Sequence, residues 1–171
     1  MNSYFIILLS FLSMGASHNS AEPPMQESTT YYFIRHAEKD EGDPQNKDPK
    51  LTAAGHLRAE KWVDILKEVQ FDLIMSTNLE RTRSTAAKIA EAQGKEVQFY
   101  DPRNLNSVEF QGKTKGKTVL VVGHSNTNPA FVNAILGEEK FEALDEKEYG
   151  SLFIVNIDAD GKKSAQVKYH N

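Results

Sequence analysis

Residues 119–126 read Val-Leu-Val-Val-Gly-His-Ser-Asn. Four consecutive aliphatic residues without polar alternation mark a strand buried on both faces, the pattern of a central strand in a parallel sheet. The Gly-His that ends the run stands where open α/β sheets bind ligands, at the carboxyl end of a strand. Outward from this run, strand-like and helix-like patterns alternate. Thr30 to Ile34 (TYYFI) is aromatic and β-branched and predicts a strand. Residues 39–50 form a polar loop punctuated by Gly and Pro. Thr52 caps a helix running to about Val69, with Ala59, Trp62, Val63, Leu66 and Val69 at helical spacing. Phe71 to Met75 (FDLIM) is a short buried strand. A second helix covers 79–92, with Thr82, Ala86, Ile89 and Ala90 on one face and Gly94 as its stop. Glu96 to Tyr100 is a further strand, and Pro129 to Leu136 a helix that Gly137 terminates. Leu152 to Ile157 and Ala165 to Tyr169 predict a closing hairpin around Asp160-Gly161. The fold class is therefore α/β, with a mostly parallel central sheet flanked by helices and a C-terminal β-hairpin.

The chain has 171 residues, 39% of them hydrophobic and 26% charged, which suits one globular domain. A formal net charge of −4 provides no basic field for nucleic acid. The absence of cysteine excludes disulfides, thiolate zinc sites and thiol catalysis. Tyr4 to Leu12 (YFIILLSFL) is apolar but too short to span a bilayer, and small residues follow it. Residues 1–17 read as a signal peptide without Lys or Arg in its n-region, residues 18–29 as a flexible leader, and 30–171 as the domain. The expectation is an exported protein, periplasmic or secreted, with no membrane span once the signal is removed.

Three short segments carry chemistry, and each follows a strand. They are Arg35-His36-Ala37-Glu38, the stretch Ser76 to Arg83 (STNLERTR), and Gly123-His124-Ser125-Asn126. Arg81 lies 45 positions beyond His36, and His124 lies 43 beyond Arg81. Only the carboxyl edge of a shared sheet brings residues so far apart to one place. Arginine presents a rigid fork of donors matched to phosphate oxygens, and neutral imidazole is a nucleophile able to form covalent intermediates. An Arg-His-Arg-His set therefore suits a phosphoryl group, and its positive charge disfavours a cation, so neither metal nor other cofactor is expected. His56, His18 and His170 read as bland, and Arg58 and Arg83 as structural or solvated. Gly112 to Thr118 (GKTKGKT) has the residues of a phosphate-binding loop but one spacer too few, and it precedes a strand; it reads as a charged surface turn.

Taken together, these motifs make the chain resemble the histidine phosphatase superfamily, also called phosphoglycerate mutase-like. Arg35-His36-Ala37 is similar to its opening motif. Leu79 to Ala86 resembles the core of its second, Gly123-His124 its third, and Leu51-Thr52-Ala53-Ala54-Gly55 its helix start. The resemblance covers about residues 31–157. It implies that His36 becomes phosphohistidine, that Arg35 and Arg81 bind the phosphoryl oxygens, and that His124 completes the pocket and donates a hydrogen bond. Larger family members supply a Glu proton donor between the second and third motifs. Here Ser107 stands in that place, with Asp101 as the candidate substitute and Glu109 and Glu38 behind it. The short spacing resembles the small, open-site phosphatases.

The expected activity is hydrolysis of phosphomonoesters or phosphoramidates on a small phosphorylated substrate or a phosphoprotein. A non-catalytic phosphate-binding module and a phosphomutase are the alternatives. A free histidine has a pKa near about 6.5, and a pocket rich in Arg should help keep His36 neutral; activity is expected to be lost at low pH as His36 protonates. Specificity is expected from 39–50, 101–116 and 138–150, where Lys39, Lys47 and Lys50 are candidates for holding a second anionic group.

Overall fold

The computed structural model describes residues 27–171. The signal peptide expected at 1–17, and the leader up to residue 26, lie outside the described residues. Strand β1 (Thr29–Arg35) is followed by helix α1 (Ala53–Leu66), β2 (Leu73–Ser76), α2 (Glu80–Ala92), β3 (Val97–Phe99), α3 (Val108–Thr114), β4 (Thr118–Gly123), α4 (Thr127–Leu136), β5 (Ser151–Ile157) and β6 (Lys163–Tyr169). They form one six-stranded sheet in the order β3-β2-β4-β1-β5-β6. The first four strands in the chain are parallel, and β5 and β6 close the sheet as an antiparallel hairpin.

β4 lies between β2 and β1, and Val119 to Val122 are fully buried, as the unalternating run requires. The strand period of two divides the sheet residues between two cores. Tyr31, Phe33, Met75, Val119 and Val121 face Phe110 of α3 and Phe131, Val132 and Ile135 of α4. Ile34, Ile74, Leu120 and Val122 face Trp62 and Leu66 of α1 and Ala86, Ile89 and Ala90 of α2. The domain is thus a three-layer α/β/α sandwich. No helix among the described residues is long and apolar enough to cross a membrane.

Two local readings are corrected. Thr29, assigned to the leader, is already a buried residue of β1, and its hydroxyl accepts from Gly116 N at 2.8 Å. Gly112 to Thr114, read as the start of a surface turn, form the last turn of α3. Only Lys115 to Lys117 make the turn, with Gly116 at φ +73°. This helix is held less by a stripe of apolar residues than by single contacts. Phe110 is buried, the Ser107 hydroxyl caps Phe110 N at 3.2 Å, and the Thr114 hydroxyl lies 2.6 Å from that of Tyr31.

Candidate active site

The register places the ends of three neighbouring strands side by side. Arg35 pairs with Gly123 across β1 and β4, and Ser76 with Val122 across β2 and β4. His36, Thr77 and His124 each stand one residue past a strand end. His36 N–H donates to Gly123 O at 2.9 Å, and Ala37 N–H donates to the Thr85 hydroxyl at 3.0 Å. Thr85 in turn donates to Arg81 O at 2.8 Å, so the first motif is tied to β4 and to α2 together. Gly55 of α1 packs so closely on the Glu38 carbonyl that no side chain fits there, and Arg58 pairs with Glu38 at 2.7 Å.

Four residues expected at one site therefore meet. The His36 and His124 rings lie 5.4 Å apart, edge to face. His36 is buried, and its Nδ1 stands 2.8 Å from Ala37 O. A carbonyl can only accept, so Nδ1 carries the proton and Nε2 keeps the lone pair. Burial, reinforced by the Arg35 and Arg81 charges, pulls the His36 pKa down to about 3. The shift runs in the direction expected of an arginine-rich pocket, and loss of water around the ring adds the larger part: both burial and the two guanidiniums disfavour the cation. His124 is pulled down to about 4, by burial first and then by the same two arginines.

His124 Nε2 lies 3.0 Å from the Thr77 hydroxyl, which lies 2.9 Å from that of Thr82. The Thr82 hydroxyl also lies 2.8 Å from the Thr77 carbonyl oxygen and 2.9 Å from that of Leu79. Two proton orders satisfy the chain: His124 Nε2–H donates to Thr77 and Thr77 to Thr82, or Thr82 donates to Thr77 and Thr77 to the Nε2 lone pair of His124. In the first order neutral His124 has no N–H left for an anion.

The two arginines differ. Arg81, the second residue of α2, has buried Nε and Nη1 atoms without hydrogen-bond partners, and its nearest carboxylate is Asp48 at 3.8 Å. It is the free fork of the site. Arg35 is fully buried and largely engaged. Its Nη1 reaches the carbonyls of Asp145 (3.1 Å), Glu146 (2.9 Å) and Glu148 (3.0 Å), and its Nη2 donates to Glu146 Oε2 at 3.0 Å. The Tyr149 ring lies against its guanidinium, 4.2 Å from centroid to Cζ. Only Nε of Arg35 is buried without a partner. Arg35 thus anchors the 145–149 segment beside His36 as well as adding charge to the pocket.

Asp101 lies on the exposed turn after β3, where both carboxylate oxygens accept from Arg103 at 2.8–3.2 Å. Those bonds hold its pKa at about 2, the ionised state and not that of a proton donor. It lines a hollow with Phe99, Asn104, Ser107 and Lys113 whose lining contains none of the four site residues. Ser107, in place of the family's Glu, caps α3. Glu38 is bound to Arg58. Asp48, Glu146 and Tyr149 were not singled out in the sequence, because they lie in segments without periodicity. The threonine-rich stretch Thr77 to Thr85 was the one local signal of a buried polar network.

Residues 31–103 match the family model of the histidine phosphatase superfamily (branch 1). No curated protein matches the chain in sequence. Among solved structures, the Agrobacterium tumefaciens protein provisionally named phosphohistidine phosphatase SixA is 22% identical, with a TM-score of 0.61 over 84% of this chain and 99% of that one. A variant phosphoserine phosphatase of Entamoeba histolytica, in complex with phosphoserine, is 19% identical with a TM-score of 0.62 over 81% and 95%. The protein histidine phosphatase SixA complexed with tungstate is 13% identical with a TM-score of 0.62 over 82% and 96%. The sequence match takes in Arg35, His36 and Arg81, and solved phosphatase structures share the fold over 81–84% of the chain; over residues 31–103 the chain is similar to the histidine phosphatase superfamily.

Proposed function

We propose that the chain is a phosphatase that hydrolyses phosphomonoesters or phosphoramidates through a phosphohistidine on His36, without a metal ion. One observation carries the reading: a buried imidazole with its Nδ1–H bound to Ala37 O presents an Nε2 lone pair between two guanidiniums. Nε2 attacks phosphorus, the bond to the leaving oxygen or nitrogen breaks, and the leaving group takes up a proton. Water then attacks phosphorus, the N–P bond breaks, and inorganic phosphate leaves with His36 restored. Arg81 supplies its unpartnered donors to the equatorial oxygens, where charge gathers, so guanidinium does the work that a metal performs elsewhere. A dianionic phosphoryl group beside His124 favours its imidazolium form. The added N–H then donates to the transferring group, and the proton can pass to the leaving group. Neighbours named for phosphohistidine and phosphoserine are consistent with either substrate chemistry.

The test is hydrolysis of p-nitrophenyl phosphate in EDTA by the wild type and by His36→Ala, with acid-labile phosphoenzyme trapped in parallel. The variant is expected to lose at least about 10³-fold in kcat and all phosphoenzyme. Activity surviving in the variant would refute the nucleophile. Transfer of the phosphoryl group to a second hydroxyl in preference to water would mark a mutase. Vanadate binding without phosphoenzyme would mark a binding module.

A further inference from the structure

Each arginine of the site arrives with a carboxylate already placed near it. Glu146 Oε2 lies 3.0 Å from Arg35 Nη2, while its Oε1 accepts from the Ser125 hydroxyl at 2.7 Å. The three carbonyl bonds to Arg35 pin the backbone that carries it. Asp48 lies 3.8 Å from Arg81 Nη1, and the same oxygen caps the start of α2 by accepting from Glu80 N at 2.7 Å. Neither carboxylate is a freely solvated chain; each is fixed by a second partner. Both remain open to water, with side chains 75% and 42% exposed, at the outer side of guanidiniums whose own side chains are 1% and 15% exposed.

Of the three loop lysines, one is already paired. Lys39 is paired with Glu41 at 3.1 Å, and Lys47 and Lys50 are exposed on the loop. With both histidines neutral, the two arginine charges are matched by Glu146 and Asp48 before any substrate arrives. A phosphoryl group can compete for the arginines. An additional negative group on the substrate that approaches the arginines would face the two carboxylates. We infer that Glu146 and Asp48 determine specificity, setting the site against substrates that carry a second anionic group near the phosphoryl group and in favour of monoesters with an uncharged leaving group. The inference rests on the phosphatase reading above. Its physical basis is discrimination by like-charge juxtaposition, which disfavours one partner without improving the other.

The test compares two substrates that differ only in an uncharged hydroxymethyl against a carboxylate: glycerol 3-phosphate and 3-phosphoglycerate. Wild-type kcat/KM is expected to favour glycerol 3-phosphate by about tenfold or more, the scale of one partly screened like-charge contact. Glu146→Gln keeps an acceptor oxygen for Arg35 and offers its amide N–H to the Ser125 hydroxyl oxygen, and Asp48→Asn keeps the cap on Glu80. Each is expected to shrink the ratio by about threefold or more, whatever it does to the absolute rates. A wild-type preference for 3-phosphoglycerate, or a ratio that neither variant moves, overturns the inference. So does turnover of p-nitrophenyl phosphate without turnover of glycerol 3-phosphate. If none of the three is hydrolysed in a His36-dependent way, the phosphatase reading itself falls and this inference with it.

Discussion

Gly123 acts through the side chain it lacks. A Cβ there would run into the Asn128 side-chain oxygen and come within 2.7 Å of the Tyr100 hydroxyl, both of which are buried. Gly123→Ala is expected to cost about 1–3 kcal/mol in urea unfolding, because a packed neighbour must move. It should also lower kcat/KM, since His124 follows directly and donates its N–H to Thr127 Oγ1 at 3.1 Å. Full stability and activity in that variant would show that the turn relaxes freely. The histidines make a second residue-scale case. With pKa values pulled down to about 3 and about 4, His36 and His124 are expected to show no ring titration between pH 5.5 and 8 by NMR in phosphate-free buffer. A midpoint near 6.5 for either would mean that its ring is solvated, contrary to the burial described here.

Caps decide more than amphipathic stripes at the scale of elements. The Thr52 hydroxyl accepts from Gly55 N at 3.0 Å, and Thr52 N donates to Glu38 O at 2.9 Å. One residue therefore starts α1 and holds the chain two positions past His36. Thr52→Ala is expected to lose about 1 kcal/mol, measured by urea unfolding, with Thr52→Ser nearly neutral. α1, α2 and α4 are legible in sequence because Trp62, Leu66, Ile89, Phe131 and Ile135 recur on faces that meet the sheet. α3 is not. It has seven residues, Val108 points to solvent, and only Phe110 supplies apolar burial, so no 3.6-residue period forms.

The whole molecule carries the site's electrostatics into its stability. In the unfolded chain both histidines titrate near about 6.5. In the native protein they do so at about 3 and about 4. Above pH 6.5 neither state takes up these protons and the contribution is complete. As pH falls from 6.5 towards 4, the unfolded state binds them first, so stability is lost by up to about 1.4 kcal/mol per pH unit for each. The urea midpoint is expected to drop between pH 7.5 and 5, and less steeply in His36→Ala. A midpoint that rises over that range would contradict the burial of neutral imidazoles. At neutral pH, inorganic phosphate should raise the midpoint through the native site alone, by about 2.7 kcal/mol at 100 times its Kd, and Arg81→Ala should remove most of that gain.

Local pattern was sufficient for the layers. The Val119–Val122 run, the helical spacing of α1 and α2 and the hairpin turn at Gly161 are short-range properties, because burial on two faces, on one face or at a positive φ each selects residues within a few positions. The convergence of Arg35, His36, Arg81 and His124 was legible too, since parallel strand ends must share an edge. The inequality of the two arginines was not. Arg35 is consumed by carbonyls 110 to 113 positions away, and Asp48 and Glu146 come from loops without periodicity. A neutral His36 was legible from the arginines around it, but the size of the shift was not, because desolvation depends on everything packed around the ring. Which group faces the arginines, and which protons they leave on the imidazoles, are long-range facts that only the folded chain decides.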